Sequence, residues 1–360
     1  MATSSSSDFN RTRDQIIARA GRIIGAFKAG ETMGAQEVTD FSEALNAMVK
    51  RWSATPGMLT WAMSEATLFP QAAQSQYAVA VNGADHCTLS YYATTISSTE
   101  AGGQTVLSVT ATTGMTVADY IGVVLDTGSM QWSTISSKTS NTVTIADALT
   151  SQAAAGNAVF SYTTKIPRPM RLLDKPGAVR RYDIASGIEI PIGPPMARSD
   201  YQMLTNKSQS GIVNRVFYDP QLSTGYLYLW SPPRTVTSLV KFTFQRPIQD
   251  FDAAADNPDL PQEWIDPLVW NLADVLAMEY DVPAERADRI SVRAAKYLSD
   301  VSGPDREPEM PNQAVPVAER AVAPTSVATS PRIASVRRVM SGVAAVTGPT
   351  AADGGQRGNV

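Results

Sequence analysis

Cysteine and histidine, the side chains best suited to nucleophilic and metal chemistry, each occur once in this sequence, as the neighbours Cys87 and His86. A single cysteine forms no intrachain disulfide and no cysteine-based zinc site, and a single histidine leaves one candidate base for a Ser–His–acid triad. Adjacent side chains on a strand point to opposite faces. The sequence therefore argues against a Cys–His nucleophile pair and predicts no metal site.

Carboxylates are the remaining groups with catalytic potential, because glycoside hydrolases act through a pair of them. Glu263 and Asp266 stand three residues apart and could share one face of a helix. Such pairs occur in most helices and carry little information. The sequence contains no Walker-type glycine loop, no dinucleotide-binding fingerprint and no GxSxG elbow. We therefore predict no catalytic residue and no cofactor, with a cell-wall glycoside hydrolase as the enzymatic alternative.

The composition limits the classes of protein further. The chain has 360 residues, enough for two or three domains, and its net charge of −4 is too small for a general nucleic-acid coat. Residues 166–246 carry 11 basic and 5 acidic side chains, whereas residues 250–300 carry 4 and 12. This division fits head-to-tail subunit contacts, a field that faces DNA, or two ordinary solvated faces. The Ser-rich start and the lack of an 18-residue apolar run predict neither a signal peptide nor a membrane span.

The N-terminal part of the chain predicts a helical hairpin. Apolar residues recur at spacings of three and four within residues 11–27 and again from Ala35 to Trp52. A short connection between two such helices is typical of antiparallel neighbours. We assign residues 8–74 to this helical part of the body.

The middle of the chain predicts β structure. Ser and Thr make up 28 of residues 88–164, and β-branched runs alternate there with Gly and Asn, which predicts an inserted all-β module at residues 75–165. Residues 166–250 contain two proline clusters and further alternating runs, and form a second predicted β region. The predicted strands are 105–110, 120–125, 131–135, 142–145, 159–162, 215–218, 226–230 and 239–244.

Helices return in residues 251–303, which we assign to the C-terminal part of the body. Asp266 and Pro267 resemble an N-cap followed by proline at the first helical position, and Pro283 opens another helix. That last helix carries a basic stripe that could grip phosphates, but nearby acids favour a solvated, salt-bridged face instead. The stripe consists of Arg286, Arg289, Arg293 and Lys296.

Residues 304–360 lose the apolar periodicity and are rich in Pro, Ala and Val. Such a composition does not bury enough apolar area to fold alone, but scattered aliphatic side chains favour an extended arm that orders on a partner. The alternative is a disordered tail. The candidate partner-binding residues are Val315, Val317, Val322, Arg332, Ile333, Val336, Arg337 and Arg338.

Three sets of segments share a pattern of apolar and turn residues with one known family. They are DFSEALNAMVKRW at 40–52, the pair QYAV at 76–79 and IPRPMRL at 166–172, and LPQEWIDPLVWNLA at 260–273 followed by MEY at 278–280. On these segments the chain resembles the head-to-tail adaptor proteins of tailed bacteriophages, a group that includes packaged-DNA stabilisation, tail accessory and head completion factors. The stretch from YIGVVLD at 120–126 to GNAVFSY at 156–162 looks like a β module that longer members carry as an insertion.

The resemblance implies a structural virion protein at the portal–tail junction, made in the host cytoplasm. Its identical subunits would form a ring, expected to be twelve-fold, that attaches beneath the portal protein. The ring would seal the packaged double-stranded DNA that passes through its lumen, and would provide the platform for downstream nozzle or tube proteins of the tail. In such proteins the helices form the ring body and the C-terminal segment embraces the portal.

The predicted fold class is α+β, with a helical body built from both chain ends, a β region, an inserted small all-β module and an extended C-terminal arm. The alternative outside enzymes and adaptors is a carbohydrate-binding tail protein that uses the Ser/Thr-rich module. Exposed aromatic side chains on the module, such as Tyr91, Tyr92 and Trp132, would favour that alternative, whereas an acid pair in a cleft would favour the hydrolase.

Overall fold

The structure, a computed structural model, describes residues 8–55 and 59–303. This part of the chain mixes helices and sheets, which confirms the α+β class. Its α-helices are α1 (Arg13–Ile24), α2 (Ala35–Ala54), α3 (Arg198–Met203), α4 (Ile265–Glu279) and α5 (Ala284–Ser302), and 310 turns lie at Thr60–Ala62 and Gln262–Trp264. Its strands are β1 (Met63–Leu68), β2 (Gln76–Val79), β3 (Cys87–Thr88), β4 (Tyr92–Thr95), β5 (Val106–Ser108), β6 (Tyr120–Val124), β7 (Met130–Lys138), β8 (Thr142–Ile145), β9 (Ala158–Tyr162), β10 (Arg171–Leu172), β11 (Val179–Asp183), β12 (Glu189–Pro191), β13 (Arg215–Pro220), β14 (Gly225–Trp230) and β15 (Ser238–Gln245).

Helices from both ends of the described chain share one apolar core. The apolar stripes of α1 and α2 pack with that of α4, because side chains three and four residues apart lie on one face of a helix. Helix α5 contributes little to this core, since only Ile290 and Ala294 of its residues are buried. Side chains at the centre of the core are Ile16, Ile17, Phe41, Leu45, Leu268 and Leu272.

Two sheets form the β region. The larger has the order β12–β11–β15–β1–β3, with β10 also paired to β15, and the smaller has the order β13–β14–β2. The two sheets share a second apolar core, in which Tyr77, Phe242 and Phe244 are completely buried. Alternation along β14, whose residues are in turn buried and half-buried, follows from the two-residue period of a strand.

The third sheet has the order β4–β9–β6–β7–β8–β5 and closes on itself. Its first and last strands meet at the bridge between Ile96 and Val109. On either side of that bridge, the N–H of Ser97 donates to the carbonyl of Ser108 over 2.9 Å and the N–H of Thr110 donates to the carbonyl of Thr95 over 3.0 Å. Closure removes the free sheet edges and encloses a third apolar core of its own.

The closed sheet begins at Tyr92 and ends at Tyr162, so its bounds differ from the predicted module at 75–165. Strand β2 pairs with β14, about 150 residues further along the chain, and β3 pairs with β1. Both strands therefore belong to the β region, and so does β1, which falls within residues 8–74 that the sequence assigned to the helical part of the body. Their sequence does not disclose this, because a strand's partner is set by tertiary packing rather than by local pattern.

The helical bounds also differ locally from the prediction. Helix α4 begins at Ile265, after the 310 turn at Gln262–Trp264, and Asp266 lies in its first turn instead of at the N-cap. Helix α5 does begin directly after Pro283. Within the described ranges, every helix is too short or too polar to cross a bilayer.

Candidate functional site

His86 lies in an aromatic cage instead of a reactive site. Its ring stacks on the indole of Trp132, with centroids 3.8 Å apart, and its Nδ1 lies 2.6 Å from the hydroxyl of Tyr162. Burial, with a smaller contribution from the charge of Lys165, lowers the pKa of His86 to about 3. The imidazole is therefore neutral at pH 7 and has a structural role in the cage.

Cys87 is completely buried in the core of the β region. Burial raises the pKa of its thiol well above the usual value, although a backbone hydrogen bond from Thr88 acts in the opposite direction. A thiol of this kind is a poor nucleophile, because the thiolate is the reactive form.

The cage is part of a larger aromatic cluster that joins the closed sheet to the β region. Phe69, which follows β1, contacts the rings of Tyr91, Trp132, Phe160 and Tyr162 at centroid distances between 5.1 and 5.8 Å. Val236 and Leu239 complete the cluster from the other side. Trp132 is half-buried in this junction and does not present the exposed ring that the carbohydrate-binding alternative required of it. Tyr91 and Tyr92 are also half-buried, but part of each lines a pocket at the surface.

The chain enters and leaves the closed sheet side by side. Tyr92 of β4 is paired with Ser161 of β9. Just outside the sheet, the hydroxyl of Thr88 donates to the carbonyl of Thr164 over 2.8 Å, and the N–H of Ile166 donates to the carbonyl of Cys87 over 3.1 Å. The closed sheet therefore connects to the β region through two adjacent strands, which is the geometry of an insertion.

Two of the segments that resemble the adaptor family meet in the helical core. Residues 40–52 lie on α2, and residues 260–273 contain the start of α4. The rings of Trp52 and Trp264 make an edge-to-face contact with centroids 5.7 Å apart, and those of Phe41 and Tyr280 do so at 5.2 Å. The remaining pair of segments meets in the core of the β region, which contains Tyr77, Ile166 and Leu172.

The basic stripe on α5 is largely satisfied by its own surroundings. Arg289 is paired with Glu285, and Lys296 lies 3.2 Å from Asp300. The Nε of Arg286 donates to the carbonyl of Ile23 over 3.1 Å at the end of α1. The guanidinium of Arg293 lies over the ring of Trp270, 5.0 Å from its centroid. These contacts agree with the predicted salt-bridged face.

The basic stripe on α5 borders an open groove of about 920 Å³ that is also lined by Val292 and Tyr297.

The positive charge of the β region is also partly neutralised by local acids. Glu189 accepts from Lys241 over 2.5 Å and from Arg180 over 2.8 Å, and Arg180 is also paired with Glu65. The hydrogen bond from Lys241, aided by both positive charges, lowers the pKa of the Glu189 carboxyl. Two further pairs are Arg198 with Asp219 and Arg246 with Asp259.

The candidate acid pair does not share one helical element. Glu263 is exposed in the 310 turn before α4, whereas Asp266 lies in the first turn of α4. Asp266 lies 3.1 Å from Arg19. This ion pair links α4 to α1 at the surface of the body.

The candidate arm lies outside the described residues. This applies to Val315, Val317, Val322, Arg332, Ile333, Val336, Arg337 and Arg338. Their assignment as partner-binding residues stays a prediction.

Sequence reasoning missed a pocket at one open end of the closed sheet. It has a volume of about 330 Å³ and is lined by Tyr91, Tyr92, Asp119 and Ser161, among others. Of these, the sequence had indicated only the two tyrosines. Asp119 and Ser161 reach the pocket because β4, β9 and β6 are neighbours in the sheet. In the part of the chain that the structure describes, no three His, Cys, Asp or Glu side chains come together as metal ligands would.

No protein-family model matches the sequence, and no curated protein matches it.

Proposed function

We propose that this chain is a structural virion protein, a head-to-tail adaptor that forms a twelve-fold ring at the portal–tail junction. The ring attaches to the portal protein, seals packaged double-stranded DNA and carries the nozzle or tube proteins of the tail. Its action is mechanical, so the binding energy comes from subunit interfaces and no catalytic step is required.

One observation carries the proposal. Segments that resemble the adaptor family are far apart in sequence, yet residues 40–52 and 260–273 meet in one helical core. The closed sheet is inserted between family-like segments and has its own core, as expected for a module carried by longer members.

The surface of the body supports a role in assembly. Helix α5 buries only Ile290 and Ala294, and leaves Val292 71% exposed beside the groove at Trp270. Met278, near the end of α4, is 89% exposed. An exposed valine beside an open groove lined by Trp270 and Tyr297 is a surface that a second subunit could cover. We assign the groove between Trp270 of α4 and Val292 of α5 to the contact with the neighbouring copy in the ring.

The remaining parts of the proposal concern DNA and the portal. Basic side chains outnumber acidic ones in residues 166–246, although several are paired locally. The basic side chains without an acidic partner would face DNA phosphates in the lumen. The segment 304–360 would embrace the portal. The β region and the closed sheet would present the outer surface to the tail proteins.

Electron microscopy of the purified protein, alone and mixed with purified portal, tests the proposal. We expect twelve-fold rings on the portal. Val292→Glu should reduce ring formation and leave the melting temperature unchanged, because this side chain is exposed. Leu222→Glu is the matched control, since Leu222 is 98% exposed on the turn between β13 and β14, away from the helical body. A protein that stays monomeric with every portal tested would refute the adaptor function, whereas rings that tolerate Val292→Glu would refute only this interface.

A further inference from the structure

The pocket at the end of the closed sheet is formed by three neighbouring strands. Tyr92 opens β4, Ser161 is its partner on β9, and Ile121 of β6 pairs with Ser161 from the other side. Asp119 directly precedes β6. The side chains of Tyr92, Asp119 and Ser161 therefore converge on one cavity. Its volume of about 330 Å³ lies within the range of ~300–1,000 Å³ that small-molecule sites occupy.

Two buried polar atoms at this pocket lack a partner. Asp119 is 3% exposed and its Oδ2 accepts from the N–H of Thr116 over 2.7 Å, but its Oδ1 has no hydrogen bond within the described chain. Ser161 is 1% exposed, and its Oγ also has none. Buried polar groups are nearly always satisfied, because an unmade hydrogen bond destabilises the fold. Two such atoms beside one cavity mark the place where a hydroxyl group of a ligand, or a water, would complete the hydrogen bonding.

The walls of the pocket are aromatic and its rim carries hydroxyls. The ring of Tyr92 lies against Gly114, where an added Cβ would come within 2.2 Å of that ring. A hydrogen bond of 3.2 Å between the hydroxyls of Tyr92 and Thr113 holds the ring in place. The second wall is Tyr91. Exposed hydroxyl side chains at the rim are Ser90, Thr163 and Thr164.

This lining selects the chemistry of the ligand. The carboxylate of Asp119 is the only charged group among the lining residues, so nothing there attracts a phosphate or a carboxylate ligand. A sugar ring combines an apolar C–H face, which packs on aromatic rings, with hydroxyl groups that donate to a carboxylate and exchange hydrogen bonds with serine and threonine. We propose that this pocket is a saccharide-binding site that accommodates one neutral sugar ring.

The site is independent of the ring-forming surface. It lies in the closed sheet, whereas the proposed subunit contact lies on α4 and α5 of the body. A saccharide site on the adaptor would let the closed sheet contact a glycan near the neck of the particle. Failure of one proposal therefore leaves the other intact.

The test is saturation-transfer NMR with the full chain and a panel of neutral sugars: glucose, galactose, mannose, rhamnose and N-acetylglucosamine. We expect at least one sugar to bind at millimolar concentration. Asp119→Asn should weaken that binding about tenfold, because it removes the charge while its amide oxygen still accepts from Thr116. Ser161→Ala should also weaken it, and should not lower the melting temperature, since the lost hydroxyl has no partner in the fold.

The matched control is Asp147→Asn, in the loop after β8 and outside the pocket, where the carboxylate accepts from the hydroxyl of Ser133 over 3.0 Å. This variant should bind like the unaltered protein. The proposal is overturned if no sugar in the panel gives a signal. It is equally overturned if both pocket variants bind normally, or if Asp147→Asn weakens binding as much as they do.

Discussion

The indole of Trp52, at the end of α2, meets the indole of Trp264 edge to face, with centroids 5.7 Å apart and planes at 61°. About 210 residues of chain separate the two, and both side chains are buried. This contact closes the helical body, because it joins the N-terminal hairpin to the start of α4. The whole β structure of the described chain is therefore inserted between two halves of one helical core.

Truncation of Trp264 should destabilise the helical body strongly. We expect Trp264→Ala to lower the free energy of unfolding by ~3–5 kcal/mol, because it removes a large buried side chain and leaves a cavity. Urea denaturation measures the effect. Trp270→Ala is the matched control, because Trp270 is only half-buried at the groove. This substitution should lower the free energy of unfolding clearly less than Trp264→Ala. Equal losses from the two variants would contradict the central place of Trp264.

Arg286 should stabilise the fold more than its neighbours on the basic stripe. Its guanidinium donates to the carbonyl of Ile23 at the C-terminal end of α1, where Gly25 adopts a left-handed conformation. We expect Arg286→Ala to lower the free energy of unfolding by ~1 kcal/mol. Arg289→Ala should change it by less than ~0.5 kcal/mol, because its ion pair with Glu285 is exposed. A larger loss of unfolding free energy from Arg289→Ala than from Arg286→Ala would refute the idea that Arg286 caps the C-terminal end of α1.

Stability should decrease as the pH falls below about 6.5, because of His86. The folded chain holds the pKa of this group at about 3, against 6.5 for an unperturbed histidine, so between these values the unfolded chain binds the extra proton. The free energy of unfolding should then fall by at most ~1.4 kcal/mol per pH unit. Urea titrations at pH 5 to 7 measure the slope.

The control for this slope is His86→Phe, which keeps an aromatic ring on Trp132 but does not titrate. As the chain has one histidine, the slope between pH 5 and 6.5 should become much shallower in this variant. An unchanged slope would show that carboxylates and not His86 govern stability in this range.

Removal of the closed sheet should leave a folded protein. Because the hydroxyl of Thr88 bonds to the carbonyl of Thr164, Ser90 can be joined to Thr164 by a short glycine linker. The deletion keeps β3 as the neighbour of β1 but uncovers Phe69 and Leu239, so we expect cooperative unfolding at a lower temperature. Adding Phe69→Ser should improve solubility. A deletion variant without a cooperative transition would mean that the closed sheet is part of the main core.

Residues 304–360 are expected to hold the portal. Truncation after Gly303 should preserve the melting temperature and strongly weaken portal capture in a pull-down. Replacing Arg337 and Arg338 together by alanine should weaken capture less, and mainly at low salt, because exposed charges are screened at high ionic strength. Equal portal retention by the truncated chain would refute the arm hypothesis.

Local pattern alone was enough to predict the four long helices and eight of the fifteen strands of the described chain. The apolar stripe ending at Trp52 predicted α2, and the alternating Tyr226-to-Trp230 run predicted β14, because these periods are set by the geometry of a single element. The rarity of cysteine and histidine likewise argued against nucleophilic chemistry before any fold was known.

Tertiary structure alone decided which elements meet. Strand β2 falls within the range predicted for the module, residues 75–165, but pairs with β14. His86 meets Trp132 and Tyr162 only because the closed sheet docks against Phe69. The pocket has the same origin, since Asp119 and Ser161 are 42 positions apart and become neighbours through the order of β9 and β6. Register and packing between distant segments depend on the free energy of the whole core, and a single sequence carries no local signal for them.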